Sequence, residues 1–138
     1  MIALQSIRRS AYVVIAALIP LAIGCGDGVE PPPGLVGTWD ATSLVVDGFD
    51  LMDDGMTLSY TLTSGGNYSY VVTGDLSDYC DPGPDCSDSG DFTATGTQLT
   101  FDEGTAFEET YSYTIVGTTL TISATFGQST YAFTFEKR

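Results

Sequence analysis

From Leu35 to the end of the chain, apolar and polar residues alternate with a period of two. A first strand is expected over Val36–Val46, with Trp39 near its start. A second covers Met56–Thr63, where Leu58, Tyr60 and Leu62 are interleaved with Thr57, Ser59, Thr61 and Thr63. A third carries Tyr68, Tyr70 and Val72 on one face, a fourth Phe92 and Ala94, a fifth Leu99 and Phe101. The sixth is expected over Thr105–Val116, with Phe107, Tyr111, Tyr113 and Ile115 opposing Glu108, Thr110, Ser112 and Thr114. A seventh sets Leu120, Ile122, Ala124 and Phe126 on one face, and an eighth Tyr131, Phe133 and Phe135. Such alternation marks strands with one face buried and one in water, and threonine and tyrosine suit a pleated surface. No convincing helical period interrupts it.

Eight strands must each bury a face. A sheet closed on itself does so without leaving an exposed edge, and at eight strands the interior is just filled by side chains or holds one small ligand. The expected fold is therefore all-β, an eight-stranded antiparallel up-and-down barrel over residues 35–138, with an open β-sandwich as the alternative. Leu35-Val36-Gly37-Thr38-Trp39 at its start is similar to the Gly-x-Trp signature of lipocalins and of small bacterial lipocalin-like domains. That resemblance implies that Trp39 closes the barrel floor and that a basic residue after the last strand, Lys137 or Arg138, packs over it.

In an up-and-down barrel, odd and even connections lie at opposite ends. The even turns, Ser64–Asn67, Gly96-Thr97 and Gly117-Thr118, are tight and uncharged. Two odd connections are long and acidic: 47–55, with Asp47, Asp50, Asp53 and Asp54, and 74–90, with Asp75, Asp78, Asp81, Asp85 and Asp88. Both are thus expected at one pole, away from the entering chain.

The segment before the domain reads differently. Arg8 and Arg9 precede an apolar run from Ala11 to Ile23, the layout of an export signal. The run is 13 residues long and contains Pro20, short of the roughly 20 needed to cross a bilayer. Leu21-Ala22-Ile23-Gly24-Cys25 resembles the lipobox of bacterial lipoproteins. The resemblance implies cleavage of residues 1–24 and acylation of Cys25, which would hold the protein on a lipid membrane. With Gly26 after the cysteine, the family precedent implies the outer membrane. Residues 25–34, with three consecutive prolines, are expected to form a flexible tether.

Composition narrows function by exclusion. There is no histidine, which removes Ser–His and Cys–His catalysis and the commonest zinc sites. The chain carries a net charge of −14; setting aside a leader that holds Arg8, Arg9 and no acid leaves −16, with only Lys137 and Arg138 positive. Nucleic acid is repelled by such a surface, and a basic protein partner attracted. Cys80 and Cys86, flanking a Pro-Gly-Pro turn, read as a disulfide in an exported chain.

The inward parity collects thirteen aromatics: Trp39, Tyr60, Tyr68, Tyr70, Phe92, Phe101, Phe107, Tyr111, Tyr113, Phe126, Tyr131, Phe133 and Phe135. They either fill the barrel or line a cavity whose tyrosine hydroxyls orient a ligand. On the second reading the candidate ligand-binding residues are Trp39, Tyr60, Tyr70, Phe92, Phe101, Glu109, Tyr111, Tyr113 and Phe133. Glu109 has inward parity, to contact a ligand or a tyrosine hydroxyl, whereas adjacent Glu108 must face outward. No catalytic set and no cofactor emerges. No metal site is assigned either: Asp75, Asp78, Asp81, Asp85 and Asp88 suit calcium by oxygen chemistry but lack the spacing of an EF-hand. The functional expectation is a non-catalytic, membrane-anchored binder of a small apolar ligand. The alternative is a protein-interaction or inhibitor module whose loops 47–55 and 74–90 engage a basic partner or Ca2+.

Overall fold

The computed structural model describes residues 30–75, 80 and 82–138. The leader, Cys25, Asp78 and Asp81 lie outside the described residues. Nine strands are present among them: β1 Gly37–Val46, β2 Phe49–Asp50, β3 Thr57–Leu62, β4 Asn67–Thr73, β5 Cys86–Ala94, β6 Gln98–Phe101, β7 Glu109–Val116, β8 Thr119–Phe126 and β9 Ser129–Lys137. β1 and β3 to β9 pair in chain order, all antiparallel, and β9 closes on β1, giving the eight-stranded barrel that the alternation predicts. β2 is the extra strand, a short arm folded back on the end of β1 and followed by a single 3₁₀ turn, Leu51–Asp54. The outer face carries the threonines and serines, the reverse of a barrel that turns an apolar band to lipid.

Closure requires an irregularity in β1. Trp39 pairs with Lys137 and Ala41 with Phe135, but the next pair is Ser43 with Thr134, so Thr42 is an extra residue. This bulge shifts the parity by one. Trp39 and Leu44, five positions apart, therefore both point inward and are fully buried.

The end of the barrel with the tight turns is a packed floor. Leu35, Trp39, Leu62, Leu99 and Leu120 are completely enclosed there. The Trp39 indole N–H donates to the Leu35 carbonyl at 2.8 Å, and Lys137 Nζ sits 5.0 Å from the centre of the indole ring while donating to the Gly34 carbonyl. The stem of Lys137 crosses Gly37, whose φ is +144° and where a Cβ would lie 2.7 Å from Lys137 Cε. The glycine of the Gly-x-Trp triplet is thus required both by backbone conformation and by the lysine that covers the tryptophan. Of the expected tether, Glu30–Gly34 is described: Pro31 is buried, and the Leu35 N–H donates to the Pro32 carbonyl in a turn. The segment from Pro31 is part of the floor.

The long acidic connections meet at the opposite pole, as the odd–even rule requires. A Cβ on Gly74 would lie 3.2 Å from the Gly55 carbonyl oxygen. Leu44, Met56, Leu58, Val72 and Cys80 are buried. Two boundaries differ from the pattern. β5 begins at Cys86, so the last five residues of the polar segment 74–90 are strand. β7 begins at Glu109, because 102–108 forms a turn in which Asp102 has a φ of +50° and the Thr105 N–H donates to the Asp102 carbonyl.

Candidate functional site

Above the floor the interior is open. A cavity of about 360 Å³ lies among Tyr60 of β3, Tyr68 and Tyr70 of β4, Asp88 of β5, Phe101 and Asp102 at the end of β6, Phe107 of the following turn, Glu109 and Tyr111 of β7, Ile122 of β8, and Phe133 and Phe135 of β9. The aromatic interior is thus packed at the floor and lines a cavity above it.

The walls are a closed belt of rings. Tyr60 lies 5.9 Å from Phe101, Phe101 5.8 Å from Tyr111, Tyr111 6.1 Å from Phe133, Phe133 6.1 Å from Phe135, and Phe135 5.8 Å from Tyr60. Most of these contacts are edge-on or tilted, the arrangement that the ring quadrupoles favour. The rings come from strands that are not all neighbours: Tyr60 of β3 meets Phe101 of β6 and Phe135 of β9, whereas Phe101 and Tyr111 lie on the adjacent strands β6 and β7. These rings line the cavity.

Three carboxylates stand at this pole. Asp102 accepts the Tyr68 hydroxyl at 2.7 Å, and Glu109 accepts the Tyr111 hydroxyl at 2.7 Å. Asp88 is the register partner of Tyr70 across β4 and β5, and its carboxylate takes the N–H of Ser89. Burial, reinforced by the carboxylate of Asp102, pushes the Tyr68 hydroxyl far above its ordinary pKa. Burial and the charges of Asp88 and Glu109 raise that of Tyr70. Both phenols are therefore neutral donors at physiological pH.

Of the residues expected to bind a ligand, Tyr60, Tyr70, Phe101, Glu109, Tyr111 and Phe133 line this cavity. Trp39 is in the floor. Phe92 and Tyr113 are buried outside the lining, and the Tyr113 hydroxyl donates to the Thr95 carbonyl at 2.6 Å. Phe107 leaves the inward set: the 102–108 turn carries it to the mouth, 80 % exposed. Phe126 is at the rim, 37 % exposed and edge-on to Tyr111.

Asp88 and Asp102 were missing from the expected binding set. Asp88 was recoverable, since extending the inward parity of Phe92 and Ala94 backwards reaches positions 90, 88 and 86. Asp102 was not, because it follows inward Phe101 and only the positive φ of the turn re-aims it.

Among the calcium candidates, Asp75 is buried and accepts the Cys80 N–H, and Asp85 accepts the Gly74 N–H. These carboxylates hold the loop that the Cys80–Cys86 disulfide closes. Among the described residues, no three of Asp, Glu or Cys come together in a group that could hold a metal ion. Glu108, adjacent to Glu109, turns away and accepts the Gly104 N–H.

Compared with known proteins, the chain matches no family model and no curated sequence.

Proposed function

We propose that this chain is a lipid-anchored, lipocalin-like lipoprotein of the bacterial cell envelope that carries a small, predominantly apolar molecule and performs no chemistry on it. The observation that carries the reading is the cavity: about 360 Å³, open to one side and lined by aromatic rings together with tyrosine hydroxyls and three carboxylates. That volume and that lining are those of small-molecule sites. The absence of histidine from the sequence and the pairing of the cavity acids with tyrosines favour binding over catalysis. Anchoring rests on the basic residues, apolar run and Leu21–Cys25 junction of the sequence, with the outer membrane as the expected site. With the entering chain at the floor, the mouth faces away from the bilayer.

Two experiments test this. The full chain, placed in phosphatidylcholine nanodiscs with empty discs as blank, is titrated with N-phenylnaphthylamine, and energy transfer from Trp39 is followed. One saturable site is expected, weakened at least tenfold by Ile122→Phe; binding that never saturates above the blank refutes the carrier reading. In cells, labelling with an alkynyl fatty acid is expected to mark the chain and to be lost in Cys25→Ser.

A further inference from the structure

The cavity is built of more than apolar walls, and the placement of charge around it is one-sided. Asp88, Asp102 and Glu109 all line it. The only two basic residues among those described, Lys137 and Arg138, are both committed at the opposite end. Lys137 lies over Trp39, and Arg138 forms a two-pronged pair with Asp40 at 2.7 and 2.9 Å. Among the described residues, no cationic side chain neutralises the mouth. Tyrosine hydroxyls orient two of the carboxylates but leave each with acceptor positions unfilled, since an ionised carboxylate has about four lone-pair sites.

We propose that the ligand is an organic cation: an amine whose ammonium group lies at the Asp88–Asp102–Glu109 end while its apolar body lies within the aromatic belt. The proposal rests on the carrier reading above and names the ligand class of that site. Three features favour an amine over the other candidates. A carboxylate ligand such as a fatty acid would meet three like charges and no counter-charge. A metal ion lacks a donor group, since no three acids converge on one point among the described residues. The rings of Tyr60, Tyr70 and Phe101, which line the cavity, offer an ammonium group cation–π attraction in addition to Coulombic pairing. The negative charge of the whole domain draws cations towards this pole, and the low-dielectric walls focus the field. The raised pKa of Tyr70, caused in part by Asp88 and Glu109, reports that same field at the cavity wall.

The test compares three probes with one apolar body and different heads: phenylbutylamine, phenylbutanol and phenylbutanoate. Each is titrated calorimetrically into the full chain in phosphatidylcholine nanodiscs, with empty discs subtracted. The amine is expected to bind at least tenfold more tightly than the alcohol, and the carboxylate most weakly. Raising the ionic strength should narrow the gap between amine and alcohol. Asp102→Asn and Glu109→Gln should each weaken the amine roughly tenfold and change the alcohol less than twofold. Equal affinity for amine and alcohol, or tightest binding of the carboxylate, overturns the cation assignment and leaves the carrier reading standing. Failure of all three probes to bind overturns both. The wild-type comparison decides the matter even where a variant does not fold.

Discussion

Tyr68 reaches Asp102 by lying across Gly90, its cross-strand partner in β5, and this contact makes a sharp test of how the cavity wall is built. A Cβ on Gly90 would overlap the Asp102 carboxylate and come within 2.8 Å of Tyr68 Cε1 and 3.0 Å of its hydroxyl. At an unobstructed position with negative φ, Gly→Ala stabilises by about 0.4–1 kcal/mol through the unfolded chain. Here the added methyl forces side chains apart, a change that costs about 1–3 kcal/mol in packed surroundings. It also breaks a charge-assisted hydrogen bond, for which about 1 kcal/mol is a fair value at a half-buried site. Gly90→Ala is therefore expected to destabilise by about 2 kcal/mol net. The assay is urea unfolding followed by the fluorescence of Trp39, the single tryptophan, which is fully buried in the native state. A second variant isolates the cause: with Asp102→Ala the overlap with the carboxylate is removed and only the Tyr68 contacts remain, so the methyl at position 90 should then cost less. The two substitutions should couple by at least about 0.5 kcal/mol, the level expected of touching residues. A Gly90→Ala protein as stable as its parent, or strict additivity of the pair, would refute the reasoning.

Other consequences are simpler. Replacing Cys80 and Cys86 by serine opens a short loop and should cost about 2 kcal/mol by loop entropy, read as a lower urea midpoint. Lys137→Met removes the cation over Trp39 and the hydrogen bond to Gly34; a loss of about 1 kcal/mol and a change in Trp39 emission are expected, and unchanged values for both would exclude the latch. Asp50 accepts the Ser43 hydroxyl and the N–H groups of Leu44 and Met52, and the Ser43 bond leads in holding its pKa below the ordinary carboxylate value. A depressed folded-state pKa means stability that is fully present above about pH 4 and lost as pH falls through the depressed value. Between pH 5 and pH 3 the parent should thus lose more stability than Asp50→Asn; equal slopes would count against the assignment.

Much of this architecture was written locally along the chain. Strict alternation is a property of neighbouring residues; it specified the eight barrel strands and favoured the closed up-and-down order over a sandwich, but gave no sign of the extra strand β2. The odd–even rule then placed both long acidic connections at one pole without any tertiary information. The Gly-x-Trp triplet and the terminal basic pair foretold the floor. Tertiary structure decided what depends on how the strands meet. The bulge at Thr42 reverses the parity of β1, and no local pattern distinguishes it from a regular strand; it exists because Leu44 must face Phe133 while Trp39 faces Lys137. The division of one aromatic face into a packed floor and an open belt depends on the bulk that eight strands bring to each level. Leu35, Leu62, Leu99 and Leu120 fill the level of Trp39, whereas the rings of the next level leave a cavity beside them. The charge of the mouth was the least legible part. Asp102 faces the cavity only because a turn after Phe101 takes a positive φ, and its bond to Tyr68 joins residues 34 positions apart, a distance over which sequence pattern carries no orientation.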